Sequence, residues 1–203
     1  MDVLVATASR RMTGNEPFHI DGDALHLNVL SFWQWSSSDL VGNALRGKLA
    51  EFIVASAVDS VEGVRREWDA VDIRTSDGVR VEVKSSAYLQ SWSQKKHSVI
   101  QFGIQPTQGW DASTNTYSNS VTRQSDVYVF CVLSHMRKET IDPLNLRQWR
   151  FFVVATKVLN QAVGAQKTIT LSSLSRLHPI EAAYENVAAA IKQALIVSGR
   201  SDR

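Results

Sequence analysis

From Leu40 to Val58 the apolar residues Val41, Leu45, Leu49, Phe52 and Ile53 recur at the spacing of one helix face, and Gly63 lies beyond the end. Ser36-Ser37-Ser38 offers this helix a cap, and Asp39 falls in the first turn, where the helix dipole favours a carboxylate. Upstream, Ala24 to Trp35 alternates imperfectly and reads as a strand that follows a loosely tied arm. Downstream, Val71 to Thr75, Val79 to Lys84, Val99 to Ile104, Asp126 to Leu133 and Arg150 to Thr156 are short strand-like runs. Val127 to Leu133 is apolar on both faces, as a central, fully covered strand must be. The polar stretch from Pro106 to Ser125 reads as a long surface loop or as a weak helix near Tyr117 to Gln124. Pro179 suits the first turn of a last helix, whose stripe would be Ile180, Tyr184, Val187, Ile191 and Leu195. The pattern predicts an α/β fold with a central mixed β-sheet flanked by helices on both sides. It divides into an N-terminal arm and strand (1–38), a core (39–156) and a C-terminal helical segment packed on that core (157–203).

Composition narrows the function by exclusion. Of 203 residues, 44% are apolar and 21% charged, with a net charge of +2, so bulk charge does not mark a polyanion binder. The one cysteine, Cys131, excludes a disulfide framework and a multi-cysteine zinc site, and the five histidines show no ligand spacing. A nucleophile elbow, a phosphate-cradling glycine loop and a dinucleotide fingerprint are all missing. Apolar runs stay short of membrane length, and the start from Met1 to Val5 has no basic leader region. The expectation is a cytoplasmic protein without a membrane partner.

Chemistry concentrates between Asp69 and Ser86. In the second strand of this segment Val79, Val81 and Val83 point one way while Arg80, Glu82 and Lys84 point the other. A two-residue turn at Asp77-Gly78 would set Asp72 opposite Val83, mixing a carboxylate into the apolar face. A three-residue loop, Ser76-Asp77-Gly78 with Gly78 left-handed, instead sets Asp72 opposite Glu82 and gathers Val71, Ile73, Val81 and Val83 on one side. Two opposed carboxylates repel unless a cation lies between them, and hard oxygen donors suit Mg2+. Lys84, two residues along, can orient a water or stabilise charge developing on a phosphate. Asp69 competes with Asp72 for the first position, although a regular strand would turn it to the opposite face. Glu51 lies on the shoulder of the first helix's apolar stripe, beside Ala44, Gly47 and Ala55. There it is either a third carboxylate of the site or a rim residue paired with Arg46 or Lys48.

Glu51, Asp72 and Glu82-Val83-Lys84, followed by Ser85-Ser86 and Gln90, resemble the PD-(D/E)XK nuclease superfamily and its restriction-endonuclease-like fold. The likeness covers roughly residues 39–156, with Val71 where the name-giving proline often lies. It implies that Asp72, Glu82 and the Val83 carbonyl bind Mg2+, that Mn2+ can substitute, and that Lys84 positions the attacking water. Glu51 would correspond to the family's helical glutamate and Gln90 to its downstream glutamine. The implied activity is metal-dependent hydrolysis of nucleic-acid phosphodiesters, with DNA as substrate and an endonuclease of restriction, defence or repair type as the role; homodimerisation is left open. The alternative is a non-catalytic nucleic-acid-binding or assembly subunit that keeps the fold. Trp92 and Trp110 flank the motif in polar sequence and are candidates to stack on a base, while Lys95, Lys96 and His97 are candidate phosphate contacts.

Overall fold

The structure, a computed structural model, describes residues 7–67, 69–111 and 115–199; residues 1–6, 68, 112–114 and 200–203 lie outside them. The chain opens with a hairpin of β1 (Pro17–Ile20) and β2 (Asp23–Asn28), followed by α1 (Val29–Ser36) and α2 (Asn43–Ala57). The short β3 (Ile73–Arg74) and long β4 (Arg80–Ala87) come next, then β5 (Gln101–Gly103) and a second hairpin, β6 (Thr107–Asp111) and β7 (Thr116–Thr122). The remainder is β8 (Val127–Leu133), β9 (Trp149–Ala155), α3 (Thr156–Val163), β10 (Thr168–Thr170), α4 (Leu171–Ser175), β11 (Ile180–Ala182) and α5 (Val187–Val197).

The central sheet has five strands in the order β11-β9-β8-β4-β3. It is mixed, because β4 and β8 run parallel while the other neighbours are antiparallel. Every residue of β8 is buried, which its unbroken apolar run requires. Val81, Val83, Val129, Cys131 and Phe151 face α2 and α5 on one side of the sheet, and Tyr128, Phe130 and Phe152 face Phe102, Leu159 and Leu174 on the other. Helices therefore cover both faces, as the pattern of apolar positions implies. On the second face the buried Arg123 ties the chain together, donating to the carbonyls of Ile104, Gly164 and Gln166 and to the Asn160 amide oxygen.

Several local expectations are corrected. The strand read over Ala24 to Trp35 stops at Asn28, whose side chain accepts from the Ser31 amide at 2.9 Å and starts α1 instead. The second helix begins at Asn43 rather than Leu40, because the Asp39 carboxylate accepts from the Gly42 amide and closes a turn there; Ser36 to Ser38 end α1 and do not cap α2. The stretch Pro106 to Ser125 is neither loop nor helix but the β6–β7 hairpin. The last helix begins at Val187, since Ile180–Ala182 pairs with the edge of β9 as a strand. Ile180 and Tyr184 still pack against the same core as Val187, Ile191 and Leu195. The segment after residue 156 also contains β10 and β11, so it is not purely helical.

The N-terminal hairpin is amphipathic and open. Phe18, Ile20, Leu25 and Leu27 share one of its faces and all are exposed, as are Phe32 and Trp35 of α1.

Candidate active site

The connection between β3 and β4 fixes the site. Ile73 pairs with Val81 and Arg74 with Arg80, so one step further Asp72 faces Glu82. Thr75 donates to the Val79 carbonyl, and Gly78 adopts φ +81°, which a side chain resists and glycine does not. The loop is thus Ser76-Asp77-Gly78, the one that separates apolar from polar on both strands. Val71, Ile73, Val81 and Val83 are buried.

Asp72 Oδ2 accepts from the Val83 amide at 2.7 Å, taking the place of a backbone partner where β3 ends. In an antiparallel strand the amide and carbonyl of one residue point to the same side, so the Val83 carbonyl is directed toward Asp72 as well. Lys84 Nζ donates to Glu82 Oε1 at 2.5 Å along the same face. Burial, then the negative charge of Glu82, pushes the Asp72 carboxyl up to about 7 despite the Val83 hydrogen bond and the nearby Lys84. Tyr128, which pairs with Glu82 across the parallel ladder, is held protonated by burial and by that same carboxylate.

Glu51 on α2 is close enough to raise Asp72 further, but its carboxylate is clamped by Arg65, not by Arg46 or Lys48. Asp69 is diverted to Arg74 at 3.3 Å, since the chain is regular only from Ile73 onward. Gln90 is not brought to the carboxylates. Its side chain is buried, donating to the Ala87 carbonyl and Ser98 hydroxyl and accepting from Arg46, so it holds the chain leaving β4 against α2. Trp92, Lys95 and Lys96 lie elsewhere too: Lys95 and Lys96 border a hollow with His97, Met136 and Arg137, and the Trp92 carbonyl accepts from Lys138. Among the described residues no three His, Cys, Asp or Glu side chains form a metal-ready group. The oxygens here that could hold a cation are those of Asp72, Glu82 and the Val83 carbonyl, all hard donors.

Two grooves meet at Asp72. One, of about 400 Å3, is lined by Arg11, Lys48, Arg65, Arg66 and Arg74 beside Glu51 and Asp72. The other, of about 600 Å3, runs between Asp72 and Glu82 on one wall and Trp110, Asn115 and Tyr117 of the β6–β7 hairpin on the other. The arginines and Tyr117 escape the sequence reading. Arg65-Arg66 is visible as a basic pair, but nothing in the sequence places it beside Asp72.

Compared with known families, residues 27–173, well over half of the chain, match the family described as Bacteriophage T4 endonuclease IV. No curated protein matches the chain.

Proposed function

Because the chain belongs to the bacteriophage T4 endonuclease IV family, and is by that membership a nuclease, we propose that it is a divalent-metal-dependent DNA endonuclease of the PD-(D/E)XK type with Asp72, Glu82 and Lys84 at its centre. The observation that carries this reading is the opposition of Asp72 and Glu82, with Lys84 beside them on the same face.

A cation fits this site on chemical grounds. Two carboxylates opposed at the edge of the sheet repel, and burial and that repulsion push the Asp72 carboxyl up to about 7. Mg2+ or Mn2+ between them would relieve both effects and, when bound, would supply Lewis-acid stabilisation of charge on the phosphate. Asp72 is oriented by the Val83 amide and Glu82 by Lys84, so the acceptors are placed before any ligand arrives. The Lys84 ammonium, on the same face, donates to the attacking water and to the phosphate oxygens. The water oxygen bonds to phosphorus and gives up one proton to the surrounding solvent, the phosphorus–oxygen bond to the leaving sugar breaks, and the leaving oxygen takes up a proton from solvent. Lys48 and Arg66, with Arg11, Arg65 and Arg74 that are also ion-paired to Glu62, Glu51 and Asp69, offer phosphate contacts in the groove that reaches Asp72. In this reading Glu51 is a positioning residue whose negative charge bears on Asp72.

The test is incubation of the purified protein with supercoiled, linear and branched DNA and with RNA, with EDTA, Mg2+ or Mn2+. Metal-dependent cleavage of DNA that Asp72→Asn abolishes is expected. Binding without cleavage under every condition would instead favour a non-catalytic subunit.

A further inference from the structure

Resting on the reading of Asp72, Glu82 and Lys84 as the cutting centre, we propose that the β6–β7 hairpin is a nucleobase-binding arm. In this arm Trp110 and Tyr117 receive the base next to the bond being cut.

These rings lie outside both hydrophobic cores. Every residue of β7 is exposed, Tyr117 by 67%, and apart from Gly109 and the exposed Val121 the rest of the two strands is polar. A cross-strand aromatic pair steadies such a ribbon by no more than about 1 kcal/mol. Trp110 and Tyr117 are nevertheless directly opposed in the register, which puts both on the same face of the ribbon. That face lines the groove whose other wall carries Asp72 and Glu82.

The ribbon is also irregular next to the pair. Its register slips between Gln108 and Trp110, where Ser118 accepts from the Gly109 amide and donates to the Ser120 carbonyl. Such a bulge re-aims the side chains beyond it. Gly109 permits the bend, because a Cβ there would stand 3.1 Å from the Gln124 amide oxygen. The Gln124 amide nitrogen in turn donates to the Thr107 carbonyl and the Thr122 hydroxyl, closing the base of the hairpin. Asn115 accepts from the Trp110 indole nitrogen at 3.4 Å and so steadies the ring. Tyr117 is left with an open face at the groove.

The ligand class follows from the two grooves. The other groove sets five cations against four carboxylates, Glu51, Glu62, Asp69 and Asp72, whereas the groove at the aromatic pair has no Lys or Arg among the described residues of its lining, so the anionic backbone suits the former. The wall facing the aromatic pair is acidic, with Glu67 and Asp69 beside the central carboxylates, and so disfavours phosphate there. A flat, uncharged ring that leaves the backbone at the scissile phosphate satisfies both grooves at once. The base reaches the arm either from an unpaired strand or by extrusion from a duplex.

The experiment measures binding in EDTA, at low salt, by fluorescence anisotropy, so no cleavage is required. The probes are a short labelled DNA strand, its duplex, and the same sugar–phosphate backbone without bases. Trp110→Ala and Tyr117→Ala should each weaken binding of at least one base-containing probe about tenfold and leave binding of the baseless backbone unchanged. Trp110→Phe, which keeps a ring, should restore most of the loss. Unchanged melting temperatures would show that the fold is intact, as expected for side chains outside the core. Equal losses with the baseless probe, or no loss with any probe, would overturn the arm while leaving the cutting centre standing. If instead Glu82→Gln cleaves like wild type, the reading of the centre fails, whatever the arm does.

Discussion

Replacing Asp72 by asparagine should make the metal-free protein more stable, and by an amount that grows with pH. The Asp72 carboxyl is pushed from 3.8 to about 7, first by burial and then by the Glu82 charge. A group that binds its proton more tightly when folded contributes stability that is fully present below its unfolded value, near pH 4, and is lost as the pH rises through about 7. About three pH units at ~1.4 kcal/mol each give a penalty of roughly 4 kcal/mol above pH 8, an upper figure because the pair can relax. Asparagine carries no charge, and its side-chain oxygen still accepts from the Val83 amide, so the variant escapes the penalty and keeps the hydrogen bond. Urea unfolding in EDTA between pH 4 and 9 should show the two proteins equal at the acid end and the variant ahead by about 2–4 kcal/mol at the alkaline end. Saturating Mg2+ should close most of that gap, since a ligand at a hundred times its dissociation constant adds about 2.7 kcal/mol to the protein that binds it. A stability difference that does not change with pH, or an equal response of both proteins to Mg2+, would refute the reasoning.

Lys84→Ala should lower the cleavage rate about 10²–10³-fold while changing DNA affinity little, as for loss of one positioned donor; its melting temperature should move by no more than the small amount of a partly exposed ion pair. Gly78→Ala should cost about 1–2 kcal/mol in urea unfolding, because the space is open but φ is +81°, and Gly78→Asn should cost less. Arg123→Ala should cost about 3–5 kcal/mol by the same measurement, because it leaves the carbonyls of Ile104, Gly164 and Gln166 without their donor.

The register of the β3–β4 hairpin was legible in the sequence because only one loop length keeps carboxylates out of the apolar face. The central strand was legible because β8 has no polar position at all between Val127 and Leu133. Elsewhere, local hydrogen bonding overrode periodicity. Asn28 caps a helix inside an apolar run, and the Asp39 turn delays α2 by a few residues. The stripe ending in Leu195 identified the right core residues but the wrong element, since Ile180 reaches that core from an edge strand. For the site, short-range spacing was enough to place Asp72, Glu82 and Lys84 together. The hydrogen bonds of Gln90 were not legible, because they run through the buried Arg46, a long-range partner with no sequence signature. The meeting of Arg65 with Glu51, and of Tyr117 with the groove beside Glu82, likewise arises only from tertiary packing.

The most direct measurement compares DNA cleavage by wild type and Glu82→Gln, each with Mg2+ and with EDTA, on protein freed of contaminating nuclease. Wild type should cut only with Mg2+, and Glu82→Gln should fall more than about a hundredfold with its fold unchanged. Cutting in EDTA at the Mg2+ rate, or full activity in Glu82→Gln, would contradict a cutting centre at Asp72, Glu82 and Lys84.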